Sequence, residues 1–341
     1  MVTSAGAAEF RLALLSPGGH DPEQHFPAGE IVTAKHAPVN FHGYAACTGG
    51  AFFRDTGRAI ASGWPVLLLL RGNFRAATSA LKELQKAKRP TCISLKETGA
   101  HQIAEQLSDP ARLERFTALV RAADGCVAAT PEAADLFQHF GARRAEFIPT
   151  PYPMEEERWN WTVSERAGIF VGTREWDVPS RNHLAALLAA KNLSHETKEP
   201  VTVFNLDGRR GARLIAAIGF ERIRVHTGRM NYRAYLGVMA RHKIVLQYDR
   251  SQVPGQVAGD TLLCRGLCVG GNGAIERIAF TETCGESRSD RDLFELALHL
   301  LRHEDVRSAA AARATQMAEA TLPFGVGREN LARLFGGLPR R

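Results

Sequence analysis

Short apolar runs alternate with longer amphipathic segments along most of this chain, and that alternation predicts a repeated strand–helix order. In the first half, compact apolar runs predict strands at 11–15, 65–70, 91–95, 125–129 and 146–148. Helical spacing of apolar positions covers 74–88, 100–107, 111–122 and 131–140, the last with Pro131 in its first turn. Residues 16–64 are rich in Gly, His and Pro with poor periodicity, so loops with short elements are expected there. In the second half, strands are predicted at 168–171, 201–205, 223–226, 243–247 and 267–269, with helices at 182–190, 211–218, 231–241 and 257–265. The stretch 290–320 reads as helical, and 327–335 as a last helix after the break at 323–325. Pro149-Thr-Pro-Tyr-Pro153 cannot be helix and marks the clearest linker. The expected division is therefore 1–153, 154–322 and a tail helix at 323–341. Strands separated by helices predict an α/β class with two parallel sheets, and such sheets bind ligands beyond the carboxyl ends of their strands.

Composition narrows the class. At 341 residues, 45% of them apolar and 23% charged, the chain is an ordinary globular protein too long for one typical core. Its longest apolar run, Val66 to Leu70, is far short of a membrane span, and no secretory leader is evident at the start. The six scattered cysteines read as reduced thiols, so a cytoplasmic protein is expected. Cys264 and Cys268 lie four apart without a second pair to complete a zinc set, so they are read as buried packing. The net charge of +7 is uneven, with +1 over residues 1–155 and +6 over 156–341. From Arg209 to Arg250 there are ten basic side chains against Glu221 and Asp249. Arginine dominates that set; either it serves a phosphate or nucleic-acid partner, or it simply solvates a face.

Candidate chemistry concentrates between Gly168 and Phe280. Gly-Ile-Phe-Val-Gly (168–172) ends a strand in glycine, and Arg174 and Arg181 follow before a helix. Later come Lys-Ile-Val-Leu-Gln-Tyr-Asp (243–249), Pro254-Gly255, a helix carrying Asp260, and Leu-Cys-Val-Gly-Gly-Asn-Gly (267–273). Arginines and glycines at strand ends suit a diphosphate. Arg174 and Arg181, seven apart across one strand-to-helix loop, are both within reach of it, and the following helix adds its dipole. Surface salt bridges are the competing reading for both. Other motifs are discounted. Gly271-Asn-Gly273 lacks the third glycine of a dinucleotide fingerprint, and no Gly-x4-Gly-Lys-Ser/Thr loop exists. Asp290-Arg-Asp292 follows Ser289 and reads as the capped start of a helix, so no catalytic metal is expected.

The order of these elements resembles the retaining GT-B glycosyltransferases, particularly glycosyltransferase family 4, over residues 65–335. Gly-Ile-Phe-Val-Gly-Thr-Arg (168–174) with Arg181-Asn182 resembles the family's strand–Gly–Arg…Lys–Gly/Asn element. Asn231-Tyr-Arg-Ala-Tyr (231–235) with the strand at Ile244 resembles its Tyr…Leu…Ala…strand segment. Gln252 to Gly271 lies where the family's acidic pair and glycine turn fall, and 290–307 resembles its closing helices. Gly125-Cys-Val-Ala-Ala-Thr-Pro-Glu (125–132) through Ile148-Pro-Thr-Pro resembles the lead into its hinge. The family's two glutamates, eight apart, become Gln252 and Asp260 here, or Val253 and Thr261 if the count is anchored on Gly266. The turn's proline becomes Cys268.

The resemblance implies two Rossmann-like domains facing a cleft, with the last helices crossing back to the first domain. It implies a donor site formed by Arg174, Arg181, Gln252, Gly255, Gln256, Val257, Asp260, Thr261 and Glu276. Gly255, Gln256 and Val257 offer backbone N–H groups at a helix start, and Asp260 suits a ribose hydroxyl pair, or a solvated helix face. Glu276 is either a sugar contact or a routine first-turn residue. On the acceptor side, Glu97 and His101 follow a strand end, and in related enzymes a histidine near this place lines the reaction centre. Gly18, Gly19, Arg71 and Asn73 end the two preceding strands and are acceptor contacts or exposed loop residues. The expected activity is transfer of a sugar from a UDP- or GDP-sugar to a hydroxyl acceptor with retention. The nucleotide-sugar is a co-substrate and no cofactor is expected. The acceptor classes are a glycan, a lipid-linked glycan, a small molecule or a nucleic acid such as hydroxymethylated DNA. A non-catalytic nucleotide-sugar binder is the alternative from another class.

Overall fold

Val66–Leu70 is a run of five aliphatic side chains, all at most 1% exposed, and a strand this apolar needs cover on both faces. The computed structural model, which describes residues 10–27, 36–172, 175–205, 208–228 and 230–339, supplies that cover with helices on a largely parallel sheet. Its strands are β1 (Ala13–Leu15), β2 (Gln24–His25), β3 (Ala51–Phe53), β4 (Val66–Leu70), β5 (Thr91–Leu95), β6 (Gly125–Ala128) and β7 (Ala145–Phe147). The spatial order is β2-β3-β1-β4-β5-β6-β7, and only the short β2 runs antiparallel. The helices between them are α1 (Phe41–Ala46), α2 (Thr56–Ala61), α3 (Arg75–Lys86), α4 (Ala100–Leu107), α5 (Pro110–Ala122) and α6 (Pro131–His139). The side chains of Asp55, Asp109 and Thr130 cap α2, α5 and α6 by accepting the backbone N–H of Arg58, Arg112 and Ala133, and Pro opens both α5 and α6. Phe74, Phe116 and Phe137 pack in series through the core of this unit, with ring centroids 5.8 and 5.9 Å apart. Each such buried side chain contributes about 1.5–3 kcal/mol.

The second sheet holds β8 (Ile169–Val171), β9 (Val201–Phe204), β10 (Ile223–His226), β11 (Ile244–Gln247) and β12 (Cys268–Gly270), all parallel. Its order is β10-β9-β8-β11-β12. Its helices are α7 (His183–Thr197), α8 (Arg209–Ile218), α9 (Tyr232–Met239), α10 (Gln256–Leu263), α11 (Ala274–Ala279), α12 (Asp290–Arg302) and α13 (Glu304–Glu319). Ser289 caps α12 in a reciprocal box with Asp292, the role its sequence context predicts. The chain leaves β8 toward β9 and β10, then returns to the opposite side of β8 as β11 and β12. The neighbours β8 and β11 therefore form a topological switch point, where loops diverge and leave a crevice at the carboxyl ends. In the first sheet, β1 and β4 stand in the same relation.

Two compact units result. One comprises the chain up to Thr98, Ile103–Pro153 and the segment from Leu322, which includes α14 (Phe324–Gly336). The other comprises Gly99–Gln102 and Met154–Thr321. Helix α14 packs on α1, and Gly43 and Gly327 both press against Pro151, where a Cβ would meet its atoms at 2.5 and 2.7 Å. Three local features add detail to the expected pattern. Residues 16–64 hold the expected short elements, among them β3, a three-residue parallel strand beside β1. The six-residue α11 is too short to show a period in the sequence. The helical stretch 290–320 is two helices, parted at His303, whose backbone is extended.

All six cysteines are buried, and none is in a disulfide. Burial pushes the Cys264 and Cys268 thiols well above their ordinary range, as packing residues require. Among the described residues, no helix is long and apolar enough to cross a membrane.

Candidate functional site

The carboxyl ends of β8, β11 and β12 are held by polar residues that fix one another. Pro179–Arg181 forms a single 3-10 turn before α7, and Asn182 follows it in the left-handed region at φ 50°. That turn is tied to the chain leaving β11. Arg250 donates its backbone N–H to the Ser180 carbonyl at 2.8 Å, the Ser180 and Ser251 hydroxyls lie 2.7 Å apart, and Asn182 donates to the Tyr248 carbonyl at 3.1 Å. Arg181 is thereby set at the switch point with its side chain only 15% exposed. Its two terminal nitrogens donate to Asp249 and to Glu175. Burial opposes the guanidinium charge, but Asp249 and Glu175 outweigh it and hold Arg181 firmly protonated. Asp249, itself 9% exposed on its side chain, also accepts the Ser251 backbone N–H at 2.8 Å. Glu175 is 44% exposed and is the partner free to swing away. Of the two carboxylates on Arg181, Glu175 is the more exposed, and Asp249 is the one also held by the backbone. Arg174 lies outside the described residues.

Glycines converge on Glu276 at the ends of β12 and α10. Glu276 is 1% exposed, and Gln247 donates to its Oε1 at 3.1 Å. A Cβ on Gly255 or Gly273 would meet its Oε2 at 2.2 or 2.4 Å, and one on Gly271 would meet Oε1 at 2.9 Å. Only glycine lets the backbone wrap a carboxyl this closely, and Gly255 also needs its φ of 91°. Oε2 is buried and has no hydrogen-bond partner among the described residues. Burial is the main cause, with the Asp249 charge adding to it, that raises this carboxyl to about 7. Glu276 thus anchors the loops from inside, a role its place in the first turn of α11 does not by itself reveal.

The remaining donor-side residues separate into those at the mouth and those consumed by packing. Gln252 has φ 52° and is half-buried, its N–H bonded to the Asn272 side chain at 2.9 Å. Gly255 is the left-handed N-cap of α10, so Gln256 and Val257 occupy its first turn, where backbone N–H groups lack helical acceptors. Val257 touches the Gly172 position, where a Cβ would meet its Cγ1 at 3.0 Å, which places it beside the end of β8. Asp260 is buried and accepts the Tyr232 hydroxyl. The Thr261 hydroxyl is spent on its own helix, donating to the Val257 carbonyl at 2.7 Å. Asp260 is thus held by α9 through Tyr232, whereas Thr261 is buried helix packing. Asp249, Glu175, Ser180, Ser251, Gln247 and Asn272 join the site only through the fold. An acid and an amide at the end of the run 243–249 are the one clue to them in the sequence.

In the first unit, Gly18 and Gly72 sit in open left-handed turns after β1 and β4 with no atoms near a would-be Cβ, while Gly19 faces only its own turn's Ser16. Arg71 is 3.5 Å from Glu97, and Asn73 is exposed and accepts the Arg75 backbone N–H at 3.1 Å. The Glu97 carbonyl accepts from the Gln106 side chain at 3.0 Å. His101 is exposed in the first turn of α4 and counts with the second unit, whereas Glu97 counts with the first.

No family model and no curated protein matches the sequence. Solved structures do resemble the fold. The trehalose-6-phosphate protein from E. coli bound with UDP-2-fluoro glucose superposes with a TM-score of 0.68 at 11% identity, over 97% of this chain and 100% of that one. A UDP-forming trehalose-phosphate synthase from Burkholderia xenovorans gives 0.62 at 12%, over 96% and 99%. A point mutant of S. aureus TarM in complex with Fondaparinux, alpha-GlcNAc-glycerol and UDP gives 0.59 at 10%, over 80% and 55%. With two Rossmann-like units, a switch point in each sheet and these likenesses across nearly its whole length, the chain has the GT-B glycosyltransferase fold.

Proposed function

We propose that this chain transfers a sugar from a nucleoside-diphosphate sugar, of the UDP or GDP class, to a hydroxyl acceptor with retention of configuration. One observation carries the reading: Arg181 is fixed at the β8/β11 switch point by Asp249 and Glu175, on a turn tied to the chain that leaves β11. As the glycosidic bond breaks, negative charge accumulates on the departing diphosphate. Once Glu175 gives way, Arg181, still held by Asp249, and the α10 N–H groups meet that charge, which lowers the barrier. Asp260, with Tyr232, supplies acceptors for a ribose. The departing phosphate takes the acceptor proton, so no protein nucleophile is invoked. Glu97 and His101 remain candidates for the reaction centre, and Gly18, Gly19, Arg71 and Asn73 for acceptor contacts. Fold neighbours bound to UDP-2-fluoro glucose and to UDP support the donor class.

Turnover of a radiolabelled panel of UDP- and GDP-sugars, with Arg181→Ala beside the parent, tests this. The expected outcome is transfer or slow hydrolysis of one donor, reduced about 10²–10³-fold in the variant. Tight binding of a donor with no turnover would instead identify a non-catalytic binder, the reading that Gln252 in place of a carboxylate favours. A polyanionic acceptor is the second reading, motivated by Arg209, Arg210 and Arg213 on α8 and Arg222 and Arg224 at β10, all exposed. Acceptor binding would then weaken steeply with salt.

A further inference from the structure

The first unit carries a cluster that the donor chemistry does not use. Asp21 lies just beyond the turn that ends β1, His42 sits in the first turn of α1, and His36 precedes that helix. One donor atom from each lies within 4.8 Å of the others, and His42 Nε2 is 3.4 Å from Asp21 Oδ2. The His36 and His42 rings are stacked with centroids 4.0 Å apart. Behind them His42 packs on Phe52 at 4.5 Å and on Phe26 at 6.2 Å, so one wall of the cluster is rigid and apolar. His42 is 4% exposed, and its Nδ1 is buried with no hydrogen-bond partner among the described residues. The nitrogen that faces the cluster is Nε2, the one in contact with Asp21, so Nε2 is the donor that His42 offers.

We propose that Asp21, His36 and His42 form a binding site for a divalent transition ion of the zinc class. Two imidazoles and one carboxylate are a donor set that zinc accepts, with a fourth position left for solvent or a bound oxygen. Donors about 2.0–2.2 Å from a tetrahedral ion stand about 3.3–3.6 Å apart, the separation already present between His42 and Asp21. No pair is more than 4.8 Å apart, so closing on an ion takes at most about 1.5 Å, within the reach of a side-chain rotation. Lys96 is the opposing term. Its Nζ lies 2.6 Å from Asp21 Oδ2, and as a cation it competes for the same carboxylate. The ion therefore enters by displacing Lys96 from Asp21, so the site's affinity is set by that competition.

The test uses the full chain, with Zn²⁺ as probe in a chelator-buffered equilibrium dialysis and metal quantified by atomic emission. The parent is expected to hold one zinc per chain at micromolar free metal. His36→Gln, at a half-buried position outside any helix, weakens binding by about 100-fold or more, since even residues behind a ligand contribute about 10–100-fold. Lys96→Gln strengthens it by about tenfold or more, because it removes a charge in contact with Asp21. Circular-dichroism melts of the variants verify that both are folded. A parent that retains no zinc, a His36→Gln variant that binds as well as the parent, or a Lys96→Gln variant that binds no better would each overturn the assignment.

Discussion

The mouths of the two sheets share a topology and differ in how their glycines are used. After β1 and β4, Gly18 and Gly72 turn in open space, and the ionic groups nearby, Asp21 with Lys96 and Arg71 with Glu97, are partly exposed pairs. After β11 and β12, Gly255, Gly270, Gly271 and Gly273 are each pressed against Glu276 or Gln247. There the arginine is clasped by two carboxylates with its side chain 15% exposed. The first mouth can accommodate substitutions and accept varied partners. The second is a preorganised mould, and preorganisation is what a site opposing transition-state charge requires.

That contrast can be broken most forcefully at Gly270. A Cβ there would lie 1.9 Å from the Gln247 carbonyl oxygen, a backbone atom that cannot move without distorting β11, and φ is 84°. Gly270→Ala is expected to cost about 4 kcal/mol or more in urea unfolding. Gly72→Ala at φ 65°, with no neighbour in reach, should cost only about 1–2 kcal/mol. Equal losses at the two positions would erase the distinction.

Glu276 gives the next effect. Its carboxyl is raised from 4.5 to about 7, so the folded state binds the proton more tightly than the unfolded chain. The stabilisation is complete below about pH 4.5 and is lost as pH rises through about 7, a span worth about 3 kcal/mol. Glu276→Gln should remove this slope and make the protein more stable than the parent at about pH 8. A parent and variant with parallel pH–stability curves would refute the buried-carboxyl account.

The smallest effect is expected at Glu175. Freed of that partner, Arg181 is more available, so Glu175→Gln should tighten diphosphate binding about twofold to fivefold, the scale of one half-exposed charge pair. Weaker binding in the variant, measured by calorimetry with UDP, would mean that Glu175 positions Arg181 instead of competing for it.

Local pattern is enough to locate most strands and helices, because the buried runs at 65–70, 91–95 and 243–247 are apolar on both faces and bounded by turn residues. Parallel strands and the resulting α/β class follow from that alternation. Elements of three to six residues, β3 and α11, escape it because a period needs more positions than they have. The arginine loop and the glycine turn are visible as candidates, since Arg, Gly and helix starts are local features. Their partners are not. Asp249 lies 68 residues from Arg181, Gln247 lies 29 from Glu276, and His42 lies 21 from Asp21. What the sequence determined by itself is the order of elements and the residue types set at strand ends, because backbone and hydrophobic preferences act over a few positions. Only the tertiary structure decided which charges meet, which are buried and which glycines are irreplaceable, because those depend on sheet order bringing distant loops to one switch point.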